Sequence, residues 1–125
     1  MKTINTKNAP QAIGPYSQAK VVGNFIFTSG QIPLKPDGTM VSDNFELECI
    51  QVLDNVQAIL NASGSNMAGI IKLTVYLTDL SKFDTLNNIF NTYFKDSLPA
   101  RSTIEVSRLP KDSRIEIEAI GLINE

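Results

Sequence analysis

Residues Pro99–Glu118, PARSTIEVSRLPKDSRIEIE, decide how this chain folds and where its chemistry lies. All three arginines of the 125-residue chain fall here (Arg101, Arg108 and Arg114), with three of its six glutamates, Glu105, Glu116 and Glu118. Apolar and polar residues alternate on either side of Leu109-Pro110-Lys111-Asp112, over Thr103 to Ser107 before it and Ile115 to Glu118 after it. A period of two is the signature of strands, so this reads as two strands joined by a turn carrying a proline and an aspartate. One face holds isoleucines and valine, the other acids and hydroxyls. Carboxylates on a late, central strand of a small domain need water or a partner.

Upstream, Ile70 to Thr78 alternates in the same way, Ile71, Leu73, Val75 and Leu77 against Lys72, Thr74, Tyr76 and Thr78. Leu80 to Lys95 reads as a helix with Phe83, Leu86, Phe90 and Tyr93/Phe94 inward. Asp43 to Ala62 is a longer helix. Asp43 and Glu46 have the spacing of a capping box, Cys49, Val52, Leu53, Val56, Ile59 and Leu60 form one apolar stripe, and Gly64 is placed to cap the end. Gln18–Val22 and Phe25–Ser29 flank Gly23-Asn24, a two-residue hairpin signal, and Lys2–Thr6 reads as a short edge strand. Gly14-Pro15 leaves Tyr16 to emerge from a loop.

Two amphipathic helices each need a sheet face to bury against, and strands apolar on one face only belong to a sheet covered on one side. The expected fold class is therefore α+β, one mixed sheet with both helices on a single face, in one domain spanning 1–125. The far face is expected to display Lys72, Thr74, Tyr76, Thr78, Glu105, Ser107, Glu116 and Glu118. Solvent or further copies of the chain would satisfy it equally.

A net charge of −2 with scattered lysines does not make a polyanion-binding surface. The single cysteine, Cys49, excludes an intramolecular disulfide and points to a reducing compartment. MKTINTKNAP has no apolar core of the secretory type, and no apolar run reaches membrane-spanning length, so a cytoplasmic protein is expected. Histidine is absent. That removes the usual neutral-pH base and, with one cysteine, argues strongly against a zinc site. Nucleotide-binding glycine loops, EF-hand loops and metalloprotease helices are missing as well. Proton transfer falls to carboxylates, tyrosine, hydroxyls or water.

Among such groups, Arg101 at the start of a strand suits a small carboxylate, gripped through two parallel hydrogen bonds, although surface ion pairing is the commoner use of an arginine. Glu116 can serve as acid or base if partial burial raises its pKa, and spacing does not separate it from Glu105 or Glu118. Tyr16 can present a hydroxyl from its loop. Ser29-Gly30 offers a hydroxyl beside an approachable backbone N–H. Asn87 by pattern is a solvated helix residue, Thr103 an ordinary strand residue, and Cys49 a core residue rather than a nucleophile.

Gly14-Pro15-Tyr16-Ser17-Gln18, Thr28-Ser29-Gly30-Gln31, Pro99-Ala100-Arg101-Ser102 and the run Val106 to Ala119 together resemble the RidA (YjgF) family, in the same order and over almost the whole chain. The resemblance implies a chorismate-mutase-like fold assembled as a homotrimer, helices outside and sheets inward, with sites in clefts between subunits. It implies hydrolysis of reactive enamine/imine intermediates, such as 2-aminoacrylate and 2-iminopropanoate, to 2-oxo acids and ammonia without cofactor or metal. By position, Arg101 matches the family's carboxylate-binding arginine and Glu116 the acid that orients or activates water. Tyr16, Ser29 with Gly30, and Asn87 match the remaining pocket residues, and Thr103 stands where the family usually has cysteine, which removes any thiol-based role. Competing expectations are a trimer that binds 2-oxo acids to regulate another protein, an RNA-acting translation inhibitor, and a purely structural trimer. Charge and the missing histidine argue against RNA.

Overall fold

The last strand of the chain is the one the sheet is built around. A computed structural model describes residues 1–123, as a six-stranded sheet with two α-helices. The strands are β1 (Lys2–Ile4), β2 (Ala19–Val22), β3 (Phe25–Thr28), β4 (Ile70–Leu77), β5 (Ala100–Glu105) and β6 (Ile115–Leu122). Their order across the sheet is β1-β2-β3-β6-β4-β5. Only β4 and β5 run parallel, joined through helix α2 (Phe83–Tyr93); the other neighbours are antiparallel. The mixed α+β sheet expected from the sequence is what forms.

Both helices lie on the face carrying Leu73, Val75, Leu77, Ile115 and Ile117, all fully buried. Against them pack the stripe of α1 (Phe45–Ser63), through Cys49, Val52, Leu53, Val56, Ile59 and Leu60, and Leu86 and Phe90 of α2. Burial pushes the Cys49 thiol up to about 12, which fixes it as core. Glu48 is also buried, and it accepts from both Nε and Nη2 of Arg114, tying α1 to the start of β6.

Several local expectations are corrected. β5 and β6 are not a hairpin, because β4 lies between them; Val106–Arg114 is too long for a tight turn, and its ends bond to β4 instead, Val106 N–H to Leu77 O and Thr78 N–H to Arg114 O. Parallel pairing aligns Leu73 with Arg101, Val75 with Thr103 and Leu77 with Glu105, so those three β5 side chains stand on the helix side and Ile104 faces away. The alternation is real, but its phase is opposite to the hydrophobic reading. A register irregularity between Ile70 and Lys72 puts Ile70 inside and leaves Ile71 exposed. The cap of α1 is Asn44, whose Oδ1 accepts the Leu47 N–H at 3.0 Å, while Asp43 sits outside the helix at φ +67°. The second helix is a short 3₁₀ turn, Leu80–Lys82, followed by α2, and Phe83 is part-exposed rather than inward.

One buried polar residue ties this core to the loop after β3. Asn55 of α1 donates from Nδ2 to Ile32 O at 3.1 Å and Leu34 O at 2.8 Å, and accepts from Gln51 at 2.9 Å. Asn55→Leu should leave the buried Leu34 carbonyl unpaired, Ile32 O keeping the Leu34 N–H, and cost about 1–3 kcal/mol. Urea unfolding would measure it; a loss below roughly half a kcal/mol would mean the loop is held by other contacts.

Candidate functional site

The Gln31 backbone pairs with Ile117 on β6 in both directions, N–H to Ile117 O at 2.8 Å and back at 3.0 Å. That pairing lays Gly30 directly against the neighbouring Glu116 side chain. A Cβ added at Gly30 would lie 2.1 Å from Glu116 Oε2, so only glycine leaves room for the carboxyl group. A cavity of about 150 Å³ opens here, bordered by Glu116, Gly30, Tyr16, Ile13, Ile32 and Pro110 among others.

Buried Gln18 folds the loop that carries Tyr16. Its Oε1 accepts the Thr6 N–H at 2.7 Å, and its Nε2 donates to Thr6 O and Pro10 O at 3.1 and 2.8 Å. The Tyr16 ring is half exposed, with its hydroxyl accepting the Ile13 N–H at 3.3 Å. Ser29 precedes Gly30 but does not itself line the cavity, and its hydroxyl donates to Ser17 O at 2.5 Å, which leaves its oxygen free only as an acceptor.

The three acids that spacing left equivalent are now distinct. Glu105 lies on the helix side and accepts the Leu80 N–H at 2.9 Å. Glu118 accepts from the Tyr76 hydroxyl at 2.9 Å. Glu116 receives no such donor from the described residues, and burial, then the charge of Glu118, raises its pKa above the ordinary carboxylate value. It is the acid poised to take a proton.

Arg101 lies in a second cleft, against α2, bordered by Asn87, Phe90, Asn91, Leu98 and Pro99. Its guanidinium carbon lies 5.2 Å from the ring centre of Phe83 and 5.1 Å from that of Phe90. Among the described residues the ion pairs are Arg108–Asp112 and Arg114–Glu48, so Arg101 has no acidic partner there. Burial lowers its pKa from the ordinary arginine value, the expected direction for a desolvated cation. Two residues on, on the same strand face, Thr103 buries its Oγ1 without a hydrogen-bond partner.

Within one chain the structure therefore brings Tyr16 and Gly30 together with Glu116, and Ser29 adjoins them; it brings Asn87 together with Arg101. It does not unite the two groups. Arg101 shares the helix side with Leu73, whereas Glu116 is cross-strand from Tyr76 on the opposite face. That opposite face also exposes Phe25, Phe27, Ile104 and Leu122, with Phe25 paired to Leu122 and Phe27 to Ile120. An apolar surface of this kind marks an interaction site. Sequence reading missed it, although aromatics flanking Ile26 on both sides are the mark of a strand with two apolar faces.

Residues 6–123 match the family profile described as Endoribonuclease L-PSP. The chain is 51% identical to a RutC family protein of Pyrococcus horikoshii, over 96% of each sequence. It is 48% identical to the 2-iminobutanoate/2-iminopropanoate deaminase of Escherichia coli K12, over 97% of each. The crystal structure of E. coli TdcF with bound serine superimposes with a TM-score of 0.94 at 42% identity, covering 99% of this chain and 100% of that one.

Gly30→Ala should displace the Glu116 carboxyl group while leaving the sheet intact, at a stability cost of about 1–3 kcal/mol. A variant structure with Glu116 unmoved would refute the close-approach argument.

Proposed function

The chain belongs to the RidA (YjgF) family, and from that membership together with the two clefts we propose how it works. It is an enzyme that hydrolytically deaminates reactive enamine/imine intermediates to 2-oxo acids and ammonia, the activity named for relatives 46–48% identical to it. The observation that carries the reading is an arginine held half out of water without an acidic partner among the described residues. Such a group seeks an anion, and the α-carboxylate of an amino-acid-derived imine fits its two-pronged donor edge. The serine bound in TdcF carries a carboxylate of the same kind.

Arg101 and Glu116 act on one substrate if the Arg101 cleft of one copy faces the Glu116 cavity of the next. A closed homotrimer, with the exposed Phe25/Phe27/Leu122 face turned inward, brings this about and buries that surface. Arg101 and Asn87 grip the carboxylate and fix the C=N carbon near Glu116. An enamine first takes a proton at carbon, from Tyr16 or a water. Water then adds to the iminium carbon as Glu116 accepts its proton. Glu116 returns that proton to the carbinolamine nitrogen, the C–N bond breaks to release ammonia, and the hydroxyl proton passes to the freed carboxylate or to water as the C=O forms. Gly30 supplies the room at Glu116, Ser29 an acceptor oxygen, and Thr103 lines the Arg101 side without a thiol. Imines are good electrophiles, so neither metal nor cofactor is required.

Net charge −2 and the absence of histidine speak against RNA cleavage, whatever the family description. No helix among the described residues is long and apolar enough to cross a membrane, and a cytoplasmic location is part of the proposal.

Arg101→Ala should lower kcat/KM for imine generated in situ by about a hundredfold or more. Glu116→Gln should do so too, and should also remove an acid limb that in the wild type lies above the usual carboxylate range. Activity rises with pH there because the ionised form is the base and burial raises its pKa. Co-expressing the two inactive variants should restore about a quarter of the sites, since each mixed ring contains one intact pairing. A mixture as inactive as its parts would place the two residues in separate functions.

A further inference from the structure

The aromatic pair around Arg101 points to a role that neither the family comparison nor the sequence pattern gives it. We infer that Phe83 and Phe90 are positioning residues for substrate binding. They clamp the Arg101 guanidinium from α2 so that its N–H edge stays directed at an incoming carboxylate. The inference rests on the carboxylate-anchoring role proposed above and adds the device that keeps the anchor ready.

The geometry is specific. Phe83 and Phe90 are seven residues apart, two turns along α2, which places both rings on the helix face turned toward β5. The two ring centres lie at nearly equal distance from the guanidinium carbon, 5.2 and 5.1 Å, within cation–π range. Phe90 is itself braced edge-on by Phe94 at 5.3 Å. An arginine out of water is normally held by a carboxylate, as Arg114 is by Glu48. Such a partner would occupy the N–H donors that the substrate needs. A π-face attracts the cation yet engages no N–H edge, so the charge is partly compensated while the hydrogen-bonding fork remains available. Substrate then supplies the full counter-charge. The clamp also removes most of the rotamer freedom an arginine otherwise loses on binding, and it does so before the ligand arrives.

Phe83 offers the cleaner test, because it is 38% exposed and its loss leaves little cavity, whereas Phe90 belongs to the core. Four proteins are compared: wild type, Arg101→Ala, Phe83→Leu and Phe83→Tyr. Steady-state kinetics use imine generated in situ, and binding is measured with pyruvate as the carboxylate probe. Phe83→Leu is expected to raise KM and weaken pyruvate binding about tenfold, with kcat within about twofold and Tm unchanged. Phe83→Tyr, which keeps the π-face, should restore both. If Phe83→Leu binds and turns over like wild type while Arg101→Ala is impaired, the clamp is overturned and the anchoring role stands. Lower kcat and Tm with KM unchanged would make Phe83 a packing residue and overturn it equally. Arg101→Ala with wild-type kinetics would overturn the anchor and the clamp together.

Discussion

A cation drawn halfway out of water, with no acid beside it among the described residues, is the constraint on which the rest of this molecule turns. Desolvating Arg101 is unfavourable, and proteins ordinarily offset that with a carboxylate. Here the compensation comes from the rings of Phe83 and Phe90, and these come from the helix that connects β4 to β5. Parallel pairing of those strands sets Arg101 level with Leu73, on the helix side. The crossover thus does more than link two strands. It delivers both the arginine and the surface that holds it.

The opposite face follows the same logic through β6. Ile115 and Ile117 are fixed in the core, so Glu116 must point away, and the Gln31–Ile117 bridge brings a glycine close enough to enclose it. Burial at that point makes the charged carboxylate costly, which raises the proton affinity of this glutamate above the ordinary carboxylate value. Tyr76 takes the other acid, Glu118, into a hydrogen bond, so that one carboxylate of the pair is committed and the other is left reactive.

Much of this was legible in the residues. Period-two alternation found β4 and β6, the Gly23-Asn24 turn found the β2–β3 hairpin, and the apolar stripe found α1 within two residues at either end. Short motifs in register pointed to the family. What periodicity could not give was phase on an edge strand. Ile104 looks like a core residue, yet it lies outward because β5 takes its register from β4 rather than from its own composition. Non-local pairing is invisible to local pattern, which is also why β5 and β6 read as a hairpin although β4 separates them. The aromatic clamp escaped notice for a related reason. Phe83 and Phe90 look like ordinary inward positions until the strand beside them is known to carry a cation.

Placing Arg101 and Glu116 on opposite faces has a physical consequence of its own. Were Arg101 and Glu116 neighbours within one chain, they would collapse into a buried ion pair, each neutralising the other and each spending its hydrogen bonds on the other. The guanidinium would then compete poorly for substrate, and the carboxylate would lose its raised proton affinity. A sheet between them forbids that collapse. In the proposed trimer, assembly would reunite them at a separation set by two rigid surfaces rather than by their mutual attraction, and a short molecule with a carboxylate at one end and a C=N carbon next to it would span the gap. The fold keeps the two residues apart, and the proposed oligomer would bring both within reach of one substrate. The incomplete clefts of the single chain are the expected form of a site built this way.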